Sequence, residues 1–134
     1  MFVDASAIVA LMSGEREAVR IADALTAASS RLTSPIAVLE AVLSLARPGK
    51  FNCSMAEVEP LVLAFLDGRD IEIRDLPPAP EATRLAISAA QRFRTGRYGL
   101  NLGDCLHYAC AKHYNVPILA TDDEFRRTDL ETVD

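Results

Sequence analysis

No stretch of this 134-residue chain reaches the ~18 uninterrupted apolar residues that a membrane-spanning helix needs. The apolar start, MFV, runs straight into Asp4 with no basic segment ahead of it, so a secretory signal is not expected and a cytoplasmic protein is. Cysteine is scarce. Cys53, Cys105 and Cys110 make an odd number without framework spacing, which argues against a disulfide scaffold and fits reduced, mostly buried thiols. Positive charge is also in deficit. A net charge of −5 argues against passive coating of nucleic acid, yet it does not exclude a nucleic-acid enzyme whose acids gather around a cation. Internal repeats and low-complexity segments are absent as well.

What is present is ample core material: half of the residues are apolar and a quarter are charged. The length suits one domain, residues 1–134. MFV reads as a short buried strand, followed by the helix-compatible ASAIVALM and the turn SGERE. Glu15–Ala28 carries a helical stripe of Val19, Ile21, Ala22 and Leu25. Leu32 and Thr33 suit a brief strand, and Pro35 opens a helix capped by Ser34 that stops at Pro48-Gly49. The S-M-A-E capping box starts a further helix from Ser54 to Asp67. DIEIRDL alternates, with Ile71, Ile73 and Leu76 facing inward. PPAP is a linking turn, EATRLAISAAQRFR is helical, and TGRYGLNLG is the longest loop. DCLHYACAKHY is a helix and VPILAT a short buried strand. Apolar strands alternating with helices predict a three-layer α/β/α fold around a mainly parallel sheet.

Acids stand where such a fold builds its sites. Asp4 follows the first strand, Asp104 opens a helix after the Gly103 turn, and Asp122 and Asp123 follow VPILAT. Ligands of open parallel sheets bind outside the carboxyl ends of the strands, where Asp4 and the Asp122–Asp123 pair should lie. Each acid also has a simpler reading as a helix cap. Glu40, flanked by Ala37, Val38, Leu39, Ala41, Val42 and Leu43, lies either on a thin solvated stripe with Ser44 and Arg47 or in a buried position that requires a partner. The thinness of the stripe favours the second. Converging carboxylates repel unless a cation neutralises them, and oxygen ligands select Mg²⁺ or Mn²⁺. A metal so held can activate water for attack on phosphorus, so phosphodiester hydrolysis is the chemistry indicated.

VDASAIVA, SPIAVLEAVLSLAR and LNLGDCLHYACAKHYNVPILATDDEF, in that order, resemble the PIN-domain ribonucleases, and within them the VapC toxins of bacterial toxin–antitoxin pairs. The resemblance spans nearly the whole chain. It implies a Mg²⁺- or Mn²⁺-dependent endoribonuclease that cuts RNA, often structured RNA such as transfer RNA. It implies a homodimer, and a small antitoxin whose tail covers the site. By this likeness Asp4 and Asp104 are the principal metal ligands, Ser6 is the small polar residue beside the first, and Glu40 is the helix-borne glutamate. Asp123 is the last acid with Thr121 orienting it, while Asp122 and Glu124 extend the acidic rim or cap the next helix.

QRFRTGRYG interleaves Arg92, Arg94 and Arg97 with Phe93 and Tyr98, suited either to holding RNA phosphates and stacking a base or to a solvated helix end. Cys105 and His107 fall on opposite sides of their helix, against a zinc site, with Cys110 on a core face and His107 partly exposed. Leu61, Val62, Phe65 and Leu66 serve either the core or a partner face. Two other functions compete. An aspartyl-phosphate phosphatase would want a second acid two residues after Asp4, where Ser6 stands. A non-catalytic binding module would use the acids as caps or against a basic partner.

Overall fold

The computed structural model describes residues 1–97 and 99–134. Strand β1 (Phe2–Val3) is fully buried and pairs in parallel with β2 (Arg31–Thr33) on one side and β4 (Ile118–Leu119) on the other. Strand β3 (Ile71–Ile73) pairs with β2, so the sheet order is β3-β2-β1-β4 and the expected parallel sheet is present. A lone parallel bridge from Ile118 to Thr132 brings the chain end alongside β4.

Helices fill the crossovers: α1 (Ala5–Ser13) and α2 (Ala18–Ala27) before β2, α3 (Pro35–Leu45) and α4 (Met55–Gly68) before β3, α5 (Ala79–Phe93) and α6 (Leu102–Tyr114) before β4. The first two crossovers step in one direction along the sheet and the third steps back across it. Right-handed connections therefore carry α1–α4 over one face and α5–α6 over the other. The expected three layers follow. The strand order reverses between β1 and β4, and the crevice at such a reversal is where open parallel sheets bind ligands. Asp4 leaves β1 at that point, its N–H donating to the Leu119 carbonyl of β4 at 3.0 Å.

Local chemistry sets the element ends. Ser34 accepts the Ala37 N–H at 3.2 Å with Pro35 in the first turn of α3, and Ser54 with Glu57 forms the reciprocal capping box of α4. Four boundaries and orientations differ from the sequence reading. Gly14, at φ 67°, closes α1 and turns Glu15 back onto the Ala10 carbonyl, so α2 starts at Ala18 rather than Glu15. Pro80 is accommodated in the first turn of α5, which begins at Ala79 inside PPAP. Asn101 caps α6, which begins at Leu102, so Asp104 and Gly103 lie within its first turn. Val19 and Ile73 face outward, 73% and 41% exposed, because Ile21, Leu25 and Ile71 already fill the core beneath them. In α4, Val58, Val62 and Leu66 recur every four residues and are buried, whereas Leu61 is half exposed.

Ser34 is itself buried, and its oxygen serves a helix end that lacks solvent. Ser34→Ala should destabilise the fold by about 1 kcal/mol. That corresponds to roughly 4 °C in midpoint for a chain of this length, read by thermal unfolding.

Candidate active site

The acidic pocket is assembled from helix starts. Asp4 is the N-cap of α1: its Oδ2 accepts the Ser6 N–H at 2.9 Å and the Ser6 hydroxyl at 2.6 Å. Ser6 Oγ in turn accepts the Thr121 N–H at 3.1 Å, which ties the end of β4 to the end of β1. With Oδ2 so engaged, Asp4 Oδ1 is buried with no hydrogen-bond partner. Asp104 stands at the third position of α6. Its Oδ2 accepts the Asn101 N–H at 2.9 Å while Asn101 Oδ1 accepts the Asp104 N–H at 2.8 Å. Both acids are thus helix-terminal acceptors, as the simpler reading held, and both also converge. A carboxylate oxygen from each and a ring nitrogen of His107 lie within 4.8 Å of one another.

Glu40 reaches the same place from α3. Its side chain is 35% exposed and its Oε2 lies 2.8 Å from His107 Nε2, so the carboxylate is neither on a free solvated stripe nor buried alone. The partner that the sequence demanded is His107. That residue is fully buried instead of partly exposed, because helical spacing from Asp104 turns it inward beneath the acids. Gly103 makes room for Glu40, since a Cβ there would fall 1.8 Å from Glu40 Oε1. Cys105 and Cys110 join the core as free thiols, and burial pushes the Cys110 thiol up to about 11.

Beyond β4 the acids divide differently from expectation. Asp122 and Glu124 line the cavity of about 150 Å³ together with Asp4, Glu40, Asn101 and Asp104. Asp123 does not. Its side chain is 73% exposed and held by Arg126 at 3.1 Å. The chain leaves β4 through bends at 121–123 that turn Asp122 and Glu124 into the crevice and Asp123 out of it.

The electrostatics match like charges brought together without a counterion. Burial, then the neighbouring Asp4 and Glu40 charges, raise the Asp104 carboxyl against the opposing Asn101 N–H bond. Burial and Asp4 likewise raise Asp122, and burial with Asp122, Asp104 and Asp4 raises Glu124. For His107 burial alone would lower the pKa, but the Glu40 hydrogen bond and the charges of Asp4, Glu40 and Asp104 outweigh it and raise it. An orphaned, buried carboxylate oxygen and an all-oxygen rim are the donors that a hard divalent cation takes.

The basic residues near the end of α5 are placed differently. Arg92 lies 3.5 Å from both Asp129 and the Tyr108 hydroxyl and packs over Phe93, bracing the chain end against α6. Burial would raise Asp129, yet bonds from Lys112 and Tyr108 hold it down at about 2. Arg94 and Arg97 are exposed beyond α5, and Tyr98 lies outside the described residues. Among the described residues, the cations lining the groove of about 550 Å³ that adjoins the pocket are Arg47 and Lys50, with Ser44, Leu43, Val9 and Thr121. Lys50 pairs there with Glu15.

The chain is similar to known proteins over nearly its whole length. The PIN-domain family profile matches residues 1–131. VapC ribonuclease Mb2004c of Mycobacterium bovis and ribonuclease VapC36 of Mycobacterium tuberculosis are each 36% identical, over 98% of this chain and 91% of theirs. Among solved structures, the sarcin–ricin-loop-cleaving toxin VapC20 of Mycobacterium tuberculosis superposes with a TM-score of 0.74 at 14% identity, covering 96% of this chain and 95% of its own. A toxin–antitoxin complex from Klebsiella pneumoniae gives 0.69 at 18%, over 96% and 92%.

Because Asp122 is raised above its unfolded value, the native state keeps a proton that the unfolded chain has already lost. Its contribution therefore turns unfavourable as pH rises from the ordinary carboxylate range through the raised value. Asp122→Asn should raise the unfolding midpoint of EDTA-treated protein by a few degrees at neutral pH, and the gain should vanish below the ordinary carboxylate range. A destabilised variant at neutral pH would contradict the repulsion.

Proposed function

The chain belongs to the PIN-domain family, and from that premise we propose that it is a metal-dependent endoribonuclease, the toxin of a type II toxin–antitoxin pair. The observation that carries the reading is the buried Asp4 Oδ1 at the strand reversal, which accepts no hydrogen bond, with Asp104 beside it. Mg²⁺ or Mn²⁺ held by Asp4 and Asp104 would supply charge neutralisation and water activation for in-line attack on a phosphodiester. The protein's own groups do the rest. Ser6 and Asn101 fix the two carboxylates, which would otherwise rotate. Glu40, Asp122 and Glu124 rim the cavity and offer oxygens to an attacking water. The last two, lining the cavity from beyond β4, are placed to accept its proton. Asp122 takes the role that the likeness gave to Asp123.

The substrate would enter along the adjoining groove, where Arg47 meets a phosphate and the apolar Val9 and Leu43 underlie the chain. Structured RNA such as transfer RNA is the substrate class. A second copy and an antitoxin are the partners, a reading supported by the open apolar groove of about 530 Å³ lined by Pro35, Val38, Leu39, Val42, Met55 and Ile73. No helix among the described residues is long and apolar enough to cross a membrane, and the thiols are free, so the cytoplasm is the compartment we assign.

Asp4→Asn and Asp104→Asn should each lower Mn²⁺-supported cleavage of RNA more than about 100-fold while circular dichroism stays native. Cleavage equal to that of the parent protein, with contaminating nuclease excluded by the same comparison, would remove these acids from the reaction. Arg47→Ala should weaken RNA binding and reduce the slope of log affinity against log salt by about 0.7. An unchanged slope would take the substrate path elsewhere.

A further inference from the structure

We propose that His107 is a positioning residue. It fixes the Glu40 carboxylate at the mouth of the acidic pocket, so divalent-ion binding depends on an imidazole that does not itself touch the ion. The inference rests on the metal-binding reading of the pocket, and the experiment below separates the two.

His107 Nε2 faces carboxylates only: Glu40 Oε2 at 2.8 Å and Asp4 Oδ1 at 3.6 Å. The 2.8 Å contact therefore commits Nε2 to the Glu40 carboxylate. A ring nitrogen closed off by a carboxylate at that distance is not open to an ion. The imidazole has little freedom to turn away, being fully buried with its ring centroid 5.7 Å from that of Phe2 at the start of the sheet.

The fit of Glu40 is built from the same helix. Gly103, four positions before His107, leaves open the space that Glu40 Oε1 occupies. Helix α6 thus supplies both the donor that holds one carboxylate oxygen and the gap that receives the other. Without that hold, Glu40 is a long side chain with one third of its surface in water and Arg47 lining the same groove as an alternative partner. A released Glu40 would spread over rotamers and forfeit its place beside Asp4 and Asp104. Second-sphere hydrogen bonds of this kind set ligand orientation in metal sites generally.

The test uses Mn²⁺ binding to RNA-free protein, followed by electron paramagnetic resonance, with thermal unfolding measured on every variant. His107→Asn and His107→Gln are both polar and separate reach from polarity, because only the Gln amide extends to the Nε2 position. His107→Asn should bind Mn²⁺ roughly 10–100-fold more weakly, and His107→Gln should restore most of the loss even where the two melt alike. Adding His107→Asn to Glu40→Ala should weaken binding no further than Glu40→Ala does alone. Parent-like affinity in His107→Asn, or losses that multiply in the double variant, would overturn the proposal while leaving the metal site standing. Hyperfine coupling of bound Mn²⁺ to ¹⁵N-labelled histidine would overturn it by making His107 a ligand. Failure of the parent protein to take up Mn²⁺ would sink the metal reading, and this inference with it.

Discussion

Carboxylates that repel one another are held together at the point where the sheet reverses its strand order. That single constraint explains much of the surrounding structure. Asp4, Asp104, Asp122 and Glu124 reach one small cavity from three separate parts of the chain, and burial makes their mutual repulsion expensive. The fold answers with fixed donors. The first turns of α1 and α6 present N–H groups that the two principal acids accept, and Ser6 links one of them to the strand on the far side of the reversal. The positive ends of two helices thereby stabilise negative charge before any cation arrives.

Capping and ligation are therefore one arrangement. An acid at a helix start uses one oxygen to satisfy the backbone and leaves the other for a cation, as Asp4 does with Oδ2 engaged and Oδ1 free of hydrogen bonds. The buried His107 extends the logic from the other side. It sets a hydrogen-bond donor beneath three acids and joins α6 to α3 through Glu40, so two helices on opposite faces of the sheet meet over its edge.

Much of this was legible in the residues. Strand-ending Asp4, the Ser34 and Ser54 caps and the apolar β4 are short-range signals, and each holds. Glu40 declared itself as a charge among apolar neighbours that needed a partner. The identity of that partner is not legible locally, since His107 lies 67 residues from Glu40 and only the fold brings α6 against α3. Gly103 looked like a turn, because nothing local reveals that a side chain from α3 occupies its missing Cβ. Asp123 and Asp122 could not be ranked from composition, because the choice depends on how the chain leaves β4. Arg92 read as either an RNA contact or a solvated helix end, because Asp129, its actual neighbour, approaches only through the fold of the chain end.

The central claim is that Asp4 and Asp104 together grip a divalent ion. Anomalous diffraction from crystals soaked in Mn²⁺ tests it most directly. The account predicts one strong peak within bonding distance of Asp4 Oδ1 and an Asp104 oxygen, absent from crystals of the Asp104→Asn protein. A peak elsewhere on the molecule, or an empty pocket in crystals whose dissolved protein still cleaves RNA with Mn²⁺, would contradict it.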